Sequence, residues 1–180
     1  MTDAKKLNLL IAFGLIALGV SLRVIPHPAN FAPVAAIAIF GGAVLPRKYA
    51  LWVPLLAMMI SDMVIGLHSL IAVTWGTYLL IALASSYIMR RPTVARGAAL
   101  TFSSSLLFFF TTNFAVWLTS GMYLHTWAGL QRCFTLALPF FRNTALSDLI
   151  YTGALFGIYA IACNLGKRAL DYRAAGKLTG

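Results

Sequence analysis

Only four side chains in this sequence are acidic, all of them aspartates, and two of these stand where a carboxylate is costly. Asp3 and Asp171 fall in polar tails, but Asp62 and Asp148 adjoin long apolar runs, where a charge has to be paired or wet. Asp148 follows the capping-type pair Asn143-Thr144, so it is expected in the first turn of a helix, where the dipole favours its charge. Asp62 lies near a helix end just before Gly66, where the same dipole opposes it, so a partner or ligand is required. The cations on its side are Arg23, Arg132 and Arg142, and Asp62 is expected to share a polar site with Arg142. His27, His68 and His125 stand in three separate connections and offer imidazole nitrogens suited to hydrogen bonding or to a transition metal. Asn30, Trp75, Tyr78, Asn113 and Trp117 add polar and aromatic groups at the same end, so these residues together are expected to surround one cavity. The chemistry they suggest is binding. No Walker A loop, dinucleotide fingerprint, metal-spaced Cys/His cluster or Gly-x-Ser-x-Gly elbow occurs, and no cofactor is expected.

The elements that must position these residues are written in hydropathy. The chain has 180 residues, 61% hydrophobic and 10% charged, with mean hydropathy +0.85, a balance that calls for lipid as solvent. The apolar runs are unbroken, not alternating, which excludes a membrane β-barrel. Six runs, 7–25, 31–45, 49–65, 70–89, 98–120 and 146–166, are separated by Pro, Gly, Asn or Arg clusters, so the sequence predicts an all-α polytopic membrane protein of six helices in a single domain, 1–180. The first run follows Lys5 and Lys6 as a signal peptide would, but no small-residue cleavage motif comes before Arg23, so it is expected to be retained.

Alternating the connections between two sides places 11 of the 14 Lys and Arg residues on one side and only Arg23, Arg132 and Arg142 on the other. The positive-inside rule then puts both termini in the cytoplasm, with the protein in a bacterial inner membrane. The net charge of +10 is scattered beside helix ends, where lipid headgroups are its expected partner, and nucleic acid is not. Cys133 and Cys163 are expected on opposite sides, beyond disulfide reach.

Two connections stand out. In the first, Pro26 and Pro28 bracket His27 and fix an extended path into a run of about 15 residues, roughly 22 Å against a hydrocarbon core of about 30 Å, so the segment is expected to dip below the surface. The other, the 23 residues from Gly121 to Asn143, is aromatic-rich and is expected to be a loop acting as a lid. Ala32/Ala36, Ala38/Gly42 and Gly153/Gly157 repeat small residues at four-residue spacing, which serves close helix packing or a docking face for another membrane subunit.

The segments His27 to Ala36, Ser61-Asp62 to His68, Thr112 to Trp117, and Leu138 to Asn143 with Asp148 resemble an uncharacterised, DUF6580-like bacterial family of proteins similar to the S components of energy-coupling-factor vitamin transporters. More loosely, the chain is similar to the solitary cobalamin transporters of the BtuM type. The resemblance implies a bundle with an outward pocket that takes up a vitamin-like solute, a corrinoid first among them. It also implies an energising module docking through Ala32/Ala36, and cobalt contacts from His27, His68, His125 or Cys133. The decyanating thiol of some cobalamin transporters has no counterpart, since Val73, Thr74 and Trp75 occupy that stretch. A membrane enzyme acting on a corrinoid or lipid, and a structural or assembly protein, are the competing classes.

Overall fold

A computed structural model describes residues 2–178, with side chains described up to Gly166; the tail residues Lys167, Arg168, Asp171, Arg173 and Lys177 lie outside the described side chains. The described chain is all-helical: α1 (Asp3–Val24), α2 (Val34–Val44), α3 (Arg47–Ile65), α4 (Ile71–Ile88), α5 (Val94–Thr119) and α6 (Trp127–Leu178). Five of the six are long and apolar enough to cross a membrane. The architecture is a helical membrane bundle.

The short helix is its axis. α2 is apolar on every side, and a helix of that kind is stable only when enclosed. Every residue from Val34 to Gly42 is buried, and α2 packs against all five other helices. α1 lies at the edge: Ala12, Leu15 and Gly19, spaced three and four apart, form its single buried stripe, while Leu7, Leu10 and Phe13 are exposed on a lipid-type face.

α2 has 11 residues, about 16 Å, and is shorter than the run 31–45 that announced it. The chain before it stays irregular and is held against α6, where Asn143 Nδ2 donates to the Ala29 carbonyl and Ser147 Oγ to the Ala32 carbonyl, both at 3.0 Å. Polar side chains from a neighbouring helix thus satisfy backbone that has no helical partners, the condition under which irregular chain survives at membrane depth. Asn30 turns the segment at φ 61°, a conformation asparagine adopts more readily than most residues.

The largest departure is α6. The stretch expected as a lid loop, Gly121 to Asn143, is helical from Trp127 onward, so only the residues between Ser120 and Thr126 remain a loop and Pro139 lies inside the helix. Leu130, Cys133, Phe134, Ala137, Phe141 and Thr144 recur at helical spacing along its packed face, and Phe109 of α5 meets the Phe134 and Phe141 rings at 5.4 and 5.0 Å. Asp148 therefore sits well inside α6, not in its first turn, and Asn143-Thr144 caps nothing: Thr144 Oγ1 donates to the Phe140 carbonyl within the helix. At 52 residues, about 78 Å, α6 exceeds any bilayer, and Gly157 to Gly166 are exposed.

The small residues of α2 act inside the bundle. Ala36 and Ala38 have no exposed surface and Gly42 is buried against Ser85 of α4, while Ala32 is half-buried. Gly153 and Gly157 are the exposed pair.

Candidate functional site

α1 and α3 pack side by side, which brings their C-terminal turns together with Arg23 on one and Asp62 on the other. A guanidinium in the last turn of a helix is favoured by the dipole, a carboxylate there is not, and each corrects the other. Arg23 Nη2 donates to Asp62 Oδ1 at 2.7 Å, and Arg23 Nη1 reaches Ser61 Oγ at 2.8 Å and Met58 Sδ at 2.7 Å. Trp75 Nε1, from the first turns of α4, donates to Asp62 Oδ2 at 2.7 Å. Asp62 is 1% exposed with both oxygens satisfied, so it is held as a fully compensated anion. Its partner is Arg23 instead of the expected Arg142, which is exposed and makes no ion pair among the described residues.

Arg23 forms the wall of a cavity of about 330 Å³. His27 and Asn30 from the first connection, His68 from the turn before α4, Tyr78, and Asn113 from α5 supply the rest of its polar lining, with Thr74 and Thr112. Met58, Val34, Phe108 and Phe140 are among its apolar walls, and the Tyr78 and Phe108 rings pack 5.2 Å apart. The two histidines have opposite hydrogen-bonding roles. His27 Nδ1 lies 2.8 Å from the Ile25 carbonyl and has to carry the hydrogen there, so in the neutral ring Nε2 is the acceptor. His68 Nδ1 accepts from the Leu70 amide at 3.2 Å, so its Nε2 is the donor. Of the five N–H donors of the Arg23 guanidinium, three are given to Asp62, Ser61 and Met58.

The other sequence-selected residues lie elsewhere. Trp117 Nε1 donates to the Leu124 carbonyl at 3.0 Å, and His125 Nε2 lies 3.1 Å from the Trp117 carbonyl with the two rings edge to face, so this pair pins the α5–α6 turn. Cys133 is buried against the Asn113 carbonyl, and both cysteines are free. Asp148 contacts Ser105 of α5, and neither lines the cavity. Of the four candidate cobalt contacts, only His27 and His68 reach the cavity, and no group of three or more metal-ligating side chains forms among the described residues. Sequence reasoning missed Arg23 as the central residue, although its place in the last turn of α1, just before the Pro-His-Pro segment, was the available signal.

Fold and cavity together define a helical membrane protein with a polar chamber near the ends of its helices. The chain matches the model of the family of unknown function DUF6580 over residues 3–170 and belongs to that family. No curated protein and no solved structure matches it.

Proposed function

We propose that this protein is a substrate-binding membrane protein for uptake of a vitamin-like solute through the Arg23 cavity. The observation that carries the reading is an arginine fixed by a buried aspartate with donor N–H groups left over at the wall of a ring-lined chamber. Such a fork suits a carboxylate, carbonyl or phosphate acceptor, while Tyr78 and Phe108 suit a flat ring. The S-component and BtuM-type resemblance points to the same class. At about 330 Å³ the chamber is at the small end of ligand sites, which favours a compact ring-bearing solute. A corrinoid is far larger and would need the outer segments to part; for it, His27 Nε2 is the nitrogen available to cobalt.

The cavity opens outward in this reading, because the cationic ends of the bundle face the cytoplasm. Arg47 and Arg90 gather over the Tyr87 ring at one end, at 4.2 and 5.5 Å, while the cavity lies at the other. Reporter fusions after Arg91 should score as cytoplasmic and fusions after Ser69 as external; the reverse pattern would refute the orientation.

Binding is tested on protein in lipid nanodiscs by thermal shift against a panel of water-soluble vitamins, with cobinamide and cobalamin as the large-ligand arm. Arg23→Lys keeps the charge but loses the fork, and should weaken binding about 10- to 100-fold, the equivalent of about 1.5–3 kcal/mol for hydrogen bonds to a charged group. Arg142→Lys should leave binding unchanged. If no panel member binds at micromolar concentration, the uptake reading falls.

A further inference from the structure

The two buried aspartates of this bundle are stabilised in different ways. Asp62 receives a guanidinium and an indole N–H, whereas Asp148, 3% exposed, has one hydrogen-bond partner among the described residues, Ser105 Oγ at 2.6 Å from Oδ2. An ionised carboxylate presents about four acceptor sites, and a single hydroxyl donor is a poor substitute for the water it leaves.

The contacts of the serine suit a protonated acid. Ser105 Oγ also lies 3.1 Å from the Thr101 carbonyl, but it has only one hydrogen to give. If Asp148 is ionised, that hydrogen goes to the carboxylate and the Thr101 contact is not a hydrogen bond. If Asp148 is protonated, its O–H donates to Ser105 Oγ, the serine hydrogen goes to the Thr101 carbonyl, and both short contacts are satisfied at once.

The charged surroundings agree with a neutral acid. α2 carries no charged or titratable side chain, and α5 has only Arg96, in its first turn and exposed. On α6 the nearest are Arg142, which is exposed, Tyr151, stacked edge-on against Phe31, and beyond them Cys133 and Tyr159. From α4 comes Tyr78, whose phenol is within electrostatic range of Asp148, Arg23 and Asp62, the last two already neutralising each other.

We propose that Asp148 is an exchangeable proton-binding site in the membrane-embedded bundle, coupled by position to the solute cavity. Phe108 and Thr112 line the cavity one and two turns along α5 from Ser105, and Ala32, another lining residue, accepts from Ser147 next to Asp148. In the exchange step the Asp148 O–H bond breaks, the proton passes to solvent water, and the electron pair stays on the carboxylate. The role of this site in transport rests on the uptake reading above: a solute that moves the α5–α6 contact would load or release the proton, making a proton gradient the energy source.

The proton site is testable without any solute. The chain has only four acidic side chains, so infrared spectroscopy of the full-length protein in lipid can resolve a protonated carboxyl. We expect a carboxylic C=O band near neutral pH that shifts in D₂O within minutes, disappears reversibly at alkaline pH, is absent in Asp148→Asn and persists in Asp62→Asn. Ser105→Ala, which leaves Asp148 in place, should move the band to the higher frequency of a less hydrogen-bonded carbonyl, and this covers the case in which Asp148→Asn does not fold. Absence of the band, its survival in Asp148→Asn, its indifference to Ser105→Ala, or failure to exchange in D₂O would each overturn the proposal. Failure of every solute to bind, with the band present, would remove the uptake reading and leave the proton site standing.

Discussion

Arg23→Ala should lower the stability of the folded protein by about 3–5 kcal/mol, the usual cost of leaving one charge of a buried pair uncompensated. The unpaired group would be Asp62, 1% exposed and left with Trp75 as its only strong donor. Asp62→Ala should cost a similar amount, because Arg23 would keep only neutral partners in Ser61 and Met58. The double variant Arg23→Met/Asp62→Leu removes both charges and fills the space, so its loss should fall well short of the sum of the single losses. Arg142→Ala, at an exposed position, should stay within about 0.5 kcal/mol of the parent. Reversible unfolding in detergent micelles gives all four values. Strictly additive losses, or an Arg142→Ala cost matching that of Arg23→Ala, would contradict the pairing.

That pairing also marks how far the sequence could be read. The need for a partner at Asp62 was legible, because a carboxylate near a helix C-terminus is disfavoured by local physics alone. Choosing among Arg23, Arg132 and Arg142 was not, since that choice depends on which helices are neighbours, and α1 against α3 is a tertiary fact. Helices α1, α3, α4 and α5 could be located from hydropathy because lipid-facing runs are set by solvent, and the enclosed α2 because it is apolar throughout. The N-terminal part of α6 could not, because it mixes aromatics with Gln131, Arg132 and Pro139 and reads as a polar break by composition. Its helical spacing, Leu130 to Phe134 to Ala137 to Phe141, was present but outweighed by that proline and by Gly121. The misreading carried Asp148 with it: a residue placed in a first turn has a ready account in the helix dipole, whereas the same residue in mid-helix has no such support for a charge.

Gly42→Ala should destabilise the protein by about 1–3 kcal/mol even though alanine is the better helix former by about 1 kcal/mol. A Cβ built at Gly42 would stand 2.6 Å from Ser85 Cβ, 2.7 Å from the Ser85 carbonyl carbon and 2.9 Å from the Ser86 nitrogen. Two of these three atoms are backbone, so no rotamer change relieves them and α2 has to move away from α4. The same two helices carry Val34 and Tyr78 to the cavity, so the separation should also weaken solute binding, and Gly42→Val should be worse on both measures. Gly153→Ala and Gly157→Ala are the matched controls: nothing lies within 4 Å of a Cβ at either position, so only the propensity gain acts, and each should be neutral or stabilising by about 0.5–1 kcal/mol. Thermal unfolding of the three alanine variants separates the two mechanisms by sign. Three changes of the same sign would mean that backbone approach between α2 and α4 does not set the stability of the bundle, because propensity alone treats all three glycines alike.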